Sequence, residues 1–443
     1  MRGAKRRSNL QWASGRCDSW RLLRCARNDA CGIRTKFSWE AIASLAASPY
    51  SRCIQKLKCD GRCAMTDLPQ TNLTMVTLVK PEGQLEVSLE RRPMPEPKPH
   101  EVVVKLLAAP INPSDLGLLF GGADMSTARA SERDGLPVLT ADVPPAGMRA
   151  MAGRIGEAMA IGNEGCGIVV AAGASAEAQA LLGKTVAVLG GEMYAEYRCL
   201  PVQMAMPLPD GTDPRDGASC FVNPLTSLAF TETTRMEGHS AIVHTAAASN
   251  LGQMLVKICA KDGIPLVNIV RSDAQVALLK GIGAQYVVNS SADDFMDRLI
   301  DAIAETGATI GFDATGGGKL AGQILTAMEA AAVRRMTSYS RYGSDTFKQV
   351  YIYGALDLSP TTFSARSFGL TWALGGFLLT PFLAKAGAEV VGRMRQRVVD
   401  ELTTTFKSHY SHEISLTEAL DVETAQAYNA KRTGEKYLIR PHG

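Results

Sequence analysis

The residues with the clearest capacity for chemistry lie in a turn between two apolar runs. Ala246-Ala247-Ala248-Ser249-Asn250-Leu251-Gly252 follows the run Ala241–His244. It opens a stretch in which Leu251, Met254, Leu255, Ile258 and Cys259 recur at helical spacing, and a second apolar run, Leu266–Val270, comes next. Strand, tight turn, helix and strand in that order make a βαβ unit. The positive end of its helix directs backbone N–H groups at an anion such as a pyrophosphate. Small residues replace all but the last glycine of the usual glycine-rich string, and Asn250 tolerates left-handed backbone better than most non-glycines. An acidic residue at the end of the second strand would accept ribose hydroxyls. Arg271 stands there instead, with Ser272 behind it, which suits a 2′-phosphate and makes NADPH the expected coenzyme.

Three further short strings carry polar groups in turns. Ile111–Asp115 reads INPSD, a turn that also begins a helix, and Gly162–Gly167 reads GNEGCG, a glycine-dense loop ahead of the strand Ile168–Ala171. Asn223–Thr226, NPLT, precedes a helical segment leading to the βαβ unit. Asn112 is either a polar group in a cleft or a cap for the turn before Pro113. Asp115 reads as a structural N-cap-like residue.

The elements that must position these groups divide the chain. Residues 1–66 hold 14 Lys/Arg against 4 Asp/Glu, with six of the ten cysteines, whereas the remainder is mildly acidic. This front lacks sustained periodicity and an apolar signal core. It is expected to be disordered or untranslated upstream sequence, with an Arg-rich transit peptide as the alternative. From Thr74, short strands and turns (Val76–Val79, Leu85–Leu89, Val102–Leu107, Gly183–Leu189, Tyr194–Leu200) describe a β-rich domain. Residues 116–161 read as a long connection shaping or covering a substrate entrance. After Asp273, alternating helices and strands continue through Tyr286–Val288, Thr309–Asp313 and Val350–Tyr353, which means a doubly wound parallel sheet. A helix around Val390–Phe406 and the tail GEKYLIR (Gly434–Arg440) end the chain, the tail as a strand rejoining the first domain. The fold class is therefore α/β. Nothing in the charge pattern points to nucleic acid, no apolar run reaches membrane-spanning length, and Cys166, Cys199, Cys220 and Cys259 suggest reduced thiols of a cytoplasmic protein.

With INPSD, GNEGCG, NPLT, the AAASNLG turn, FDATGGG (Phe312–Gly318) and IYG (Ile352–Gly354) in this order, residues 75–440 resemble a zinc-less medium-chain dehydrogenase/reductase. The closest branch is that of quinone oxidoreductases and 2-enoyl thioester reductases. The resemblance implies a GroES-like catalytic domain over residues 67–205, completed by 381–443, and a Rossmann domain over 206–380. It also implies NADPH between the domains, and a homodimer. Matching motifs put cofactor contacts on Asn223 and Thr226 of NPLT, on Ser249, Asn250, Leu251 and Gly252, and on Arg271. Others fall on Tyr353, Gly354 and Ala355, on Phe377 and Leu378 of GGFLL, and on Lys436 of GEKYL. Zinc-dependent relatives carry Cys and His where this chain has Asn112 and Asn163, and amides are poor zinc ligands, so no metal is expected. Glu164, beside Asn163, is expected to be hydrogen-bonded in its loop. Enoyl thioester reductases carry a proton-donating tyrosine at the position of Ala123, and Tyr194 is the nearest substitute.

Without metal, the expected chemistry is hydride transfer to a carbon already polarised by conjugation, in an enone, enal or quinone. Asn112 and Tyr194 are the candidate catalytic groups. Two other readings stand beside it: an enoyl-CoA or enoyl-carrier-protein reductase, and a non-enzymatic NADPH-binding sensor or structural protein.

Overall fold

Two runs rich in buried residues form the first hairpin. Thr71–Lys80 (β1) and Gln84–Pro93 (β2) pair antiparallel along their whole length, closing through Gly83 at φ 85°. The computed structural model describes residues 68–364 and 367–443, so the arginine-rich front lies outside it. Glu101–Pro110 (β3) leads to the helix Pro113–Leu119 of the INPSD string.

The segment expected as a long connection is largely regular. Asp124–Arg133 (β4) and Leu136–Asp142 (β5) form a hairpin, β5 pairs with β2, and with Met159–Ala160 (β6) the sheet order is β4-β5-β2-β1-β6. Its turn is Asp134-Gly135, with φ of 54° and 72°, the left-handed pair that a two-residue hairpin demands. Arg133 meets Glu86 at 2.8 Å and Arg129 meets Asp142 at 2.7 Å across the added strands. The expected long connection is instead a sheet extension, whose Met125 carbonyl accepts from Gln426.

The second sheet is built from Glu164–Ala172 (β7), Thr185–Leu189 (β8), Tyr197–Pro201 (β9) and Ala205–Pro207 (β10), which join β3. The two sheets enclose one core containing Met75, Val87, Val104, Leu106, Val188 and Tyr194.

The helix Val222–Met236 then leads into the parallel sheet: Ile242–His244 (β11), Leu266–Val270 (β12), Tyr286–Asn289 (β13), Ile310–Asp313 (β14) and, beyond Gly316–Gly318 (β15), Lys348–Ile352 (β16). Asp357–Thr361 (β17) pairs with β15. Trp372–Gly376 (β18) is the outer strand of the order β13-β12-β11-β14-β16-β18, with every pairing parallel. The helix Leu379–Asp400 packs on this lobe, since Phe382, Met394, Val398 and Phe406 share a core with Phe230 and Phe312. The chain thus returns to the β-rich lobe later than residue 381. His412–Ile414 (β19) and Tyr437–Ile439 (β20) carry it back, β20 pairing antiparallel with β3 through Leu438↔Pro110 and Ile439↔Ala109. The same core also takes in Ala108, Cys166 and Ala187 of the β-rich lobe, so the two lobes are joined by packed apolar side chains.

Candidate active site

The INPSD turn is organised by Asp115. Its carboxylate accepts the N–H of Asn112 at 2.8 Å, closing the helix start, and the N–H of Asn163 at 2.8 Å, tying the turn to the GNEGCG loop. Asp115 is buried, and desolvation pushes its carboxyl up to about 7 against the pull of those two N–H donors.

Glu164 is the centre of the site. Fully buried at the start of β7, it accepts from Asn112 Nδ2 at 2.9 Å and from the N–H groups of Phe221 and Val222 at 2.8 and 2.9 Å. Those two N–H groups open the helix Val222–Met236, where a negative charge is favoured. Asn112 Oδ1 in turn accepts from Asn223 Nδ2 at 3.4 Å. Burial raises the Glu164 carboxyl above its ordinary value, opposed first by the Lys436 ammonium. Glu164 is thus hydrogen-bonded as expected, but across the lobes rather than within its own loop.

Lys436, delivered just before β20, donates to Ser219 Oγ at 2.7 Å, and its ammonium lies 5.3 Å from the centre of the Tyr410 ring. Ser219 lies within 3.5 Å of Glu164. With Asn112, Leu116 and Tyr428, Lys436 lines a small cavity. Asn163, the other amide standing where a metal-binding relative has a ligand, donates to Ser114 Oγ at 3.0 Å.

The turn Ala246–Gly252 has the shape a pyrophosphate cradle needs. Ser249 caps the helix Asn250–Asp262 by accepting from Gly252 N at 3.1 Å. A Cβ on Gly252 would stand 2.2 Å from the Ala247 carbonyl oxygen, so only glycine lets the first turn of this helix fold back so closely on the turn that precedes it. The left-handed residue is Ala246, at φ 48°, not Asn250. Asn250 lies inside the helix, where Nδ2 donates to Ser408 at 3.2 Å. Arg271 is exposed at the end of β12, its N–H held by Gln275 and its carbonyl by Ser291. Leu251 packs into the lobe core, and Thr226 turns its hydroxyl back to the Val222 carbonyl of its own helix.

At the ends of β14 and β16, Gly354 and Gly316 allow a close backbone approach, since a Cβ on Gly354 would lie 2.5 Å from the Ala314 oxygen. Tyr353 shares a 2.8 Å hydrogen bond with His244 Nε2, and Ala355 is exposed. His244 is buried, and desolvation drops its imidazole to about 3.

Two expected site residues need correction. Tyr194 is fully buried and donates to the Pro110 carbonyl at 3.1 Å. Its hydroxyl is neither at the surface nor within reach of a bound molecule. Phe377 turns into the aromatic cluster of Phe230, Phe312, Tyr351 and Phe382, while Leu378 is exposed. Sequence reasoning missed Ser219, Tyr410 and Ser408, because none belongs to a spaced pattern and all three gain meaning from the meeting of lobes. Among the described residues no cluster of three or more His, Cys, Asp and Glu side chains could hold a metal ion.

No family model matches the chain. By sequence it is 26% identical over 244 residues to mouse (Mus musculus) prostaglandin reductase-3, covering 55% of this chain and 57% of that protein. It is 29% identical over 204 residues to the mitochondrial enoyl-[acyl-carrier-protein] reductase of Bos taurus, covering 42% and 44%. The chain spans about half the length of the curated relatives it matches. By structure, it superimposes on a candidate NADPH:quinone reductase from Mesorhizobium loti with a TM-score of 0.63 at 27% identity, covering 84% of this chain and 99% of that one. The architecture, a β-rich lobe joined to a parallel six-stranded sheet, is shared with that structure over 84% of this chain.

Proposed function

We propose that this chain is a zinc-less medium-chain dehydrogenase/reductase and, within that superfamily, an NADPH-dependent reductase of conjugated carbonyls or quinones. One observation supports the reading: the cradle and the buried polar cluster are neighbours, joined through the segment that carries Ser408 and Tyr410. The 3.2 Å bond from Asn250 of the cradle to Ser408 marks the join, two residues from the Tyr410 ring that faces Lys436.

Ser249, Asn250, Leu251 and Gly252 would hold the pyrophosphate, with Arg271 on the 2′-phosphate and Tyr353, Gly354 and Ala355 along the sheet edge. Asn223, tied to Asn112, would stand near the reactive ring. The close approaches at Gly252 and Gly354 fit a flat, extended dinucleotide laid over backbone. The coenzyme supplies a hydride, and the protein places the acceptor and stabilises the charge that develops on its oxygen. The Asn112 amide, fixed between Glu164 and Asn223, is positioned to contribute there.

The enoyl thioester reading is supported by the carrier-protein reductase relatives but weakened at one residue. Ala123 carries no hydroxyl, and the nearby Tyr428 stacks on Phe120 with its own hydroxyl given to the Ala419 carbonyl. A homodimer and a reducing, cytoplasmic setting belong to the same proposal. β18 is an outer strand, and Leu358, Leu370, Trp372 and Leu378 around it are exposed apolar side chains of the kind that pair with a second copy. The four described cysteines are free thiols.

Assaying NADPH oxidation with a naphthoquinone, an alkyl enone and crotonyl-CoA tests the reading. Faster turnover of quinone or enone is expected. Faster turnover of crotonyl-CoA would favour the thioester reading, and tight binding without turnover would favour a sensor.

A further inference from the structure

Among the groups around Glu164, Lys436 is the titratable one that both lines the small cavity and keeps protons not given to a protein acceptor. Asn112 has no acidic proton, Asp115 is committed to two backbone N–H groups, and Tyr194 is sealed. Tyr428 gives its hydroxyl to a carbonyl. Lys436 is different. An ammonium carries three N–H donors, and the described residues take one of them, through Ser219 at 2.7 Å. The Tyr410 ring covers another side at 5.3 Å, and Lys436 and Asn112 line the same cavity.

We infer that Lys436 is the catalytic acid of the reduction, filling the role for which Ala123 offers no hydroxyl. This rests on the reductase reading. Hydride adds to the β-carbon of the enone, and the C=C pair shifts to leave an enolate. The Lys436 Nζ–H bond then breaks, its proton forms the new O–H or Cα–H bond, and the electron pair stays on the amine. Water re-protonates the amine, so one NADPH and one proton are consumed per saturated product. Ser219 orients the ammonium, and the nearby Glu164 carboxylate favours the charged form to which water returns it.

The titratable groups facing Lys436 are Glu164 of β7, Asp115 of the INPSD helix and Tyr410, with Cys220 beside the last, and Lys431 and Glu435 share its cavity. Burial lowers the ammonium to about 8, while Glu164 and Asp115 hold it up. The acid acts in its protonated form, so kcat/KM for an enone should fall as pH rises through about 8.

The test compares wild-type chain with Lys436→Met and Lys436→Arg, measuring NADPH affinity by nicotinamide fluorescence and enone reduction across pH. Expected for Lys436→Met at saturating NADPH is a loss of about 100-fold in kcat and no inflection near 8, beyond any loss of NADPH affinity. Arginine keeps the charge but does not release a proton in this range, so Lys436→Arg should stay equally slow. The inference is overturned if Lys436→Met keeps kcat within about threefold at saturating NADPH, if the inflection near 8 persists in it, or if arginine restores turnover. A wild-type chain that binds NADPH but reduces no enone or quinone would instead remove the reductase reading, and this inference with it.

Discussion

The cradle at Ala246–Gly252 and the cluster around Glu164 are built in opposite ways. The first is seven consecutive residues whose geometry is set by local backbone: a left-handed Ala246, a Ser249 cap and a glycine pressed on the Ala247 carbonyl of the same turn. The second draws Asn112, Glu164, Ser219, Asn223 and Lys436 from segments spread over most of the described chain. A site made by one turn fails through one backbone atom. A site made by the meeting of lobes fails through an unpaired charge, and its groups are tuned by burial.

Breaking the local half should cost most. Gly252→Val puts side-chain carbon where the Ala247 carbonyl already stands, so thermal unfolding should show a loss of about 3 kcal/mol or more, with NADPH binding lost as well. A melting temperature close to wild type would mean that the helix can slide and that the cradle is not rigid. Glu164→Leu attacks the assembled half. It strands the N–H groups of Phe221 and Val222 and the Asn112 amide, for a loss of about 2–3 kcal/mol by denaturant titration. Glu164→Gln, which keeps an acceptor, should lose clearly less.

A smaller and more selective effect is expected at Arg271→Gln. The KM for NADPH should rise about tenfold, roughly 1.4 kcal/mol, with the KM for NADH unchanged. Equal changes for both coenzymes would take Arg271 away from the 2′-phosphate. The mildest test concerns Asp115. Its carboxyl titrates at about 7 in the fold against 3.8 when free, so the native state binds the proton more tightly. Its contribution to stability is therefore greatest at low pH, is lost as pH rises from about 4 to about 7, and is flat above. Glu164, raised in the same direction, adds to that slope. Asp115→Asn should reduce the slope in a series of melting curves, and an unchanged slope would mean that Asp115 does not supply it.

The same contrast decides what was legible in the sequence. The βαβ unit, the alternation of the parallel sheet and the return of GEKYLIR to β3 follow from periodicity and turn residues, and the structure has all three. The hairpin of β4 and β5 was signalled only by the Asp134-Gly135 turn, since Asp124–Arg133 before it is largely polar and reads as part of a connection. The left-handed residue was assigned to Asn250 because asparagine tolerates that conformation, while the chain reverses earlier, at Ala246. Tyr194 and Phe377 show the limit most plainly. An aromatic residue near a motif has the same signature whether it faces a ligand or the core, and here both face the core. The link between Glu164 and the start of the helix Val222–Met236 spans 57 and 58 residues, beyond the reach of any local pattern.

The central claim is that one metal-free crevice brings a phosphorylated dinucleotide up to the Asn112–Glu164–Lys436 cluster. Calorimetric titration of the full chain with NADPH, and separately with NADH, tests it most directly. The account predicts saturable binding of one NADPH per chain and affinity for NADH weaker by about tenfold. An absence of heat with either coenzyme at millimolar concentration would contradict it.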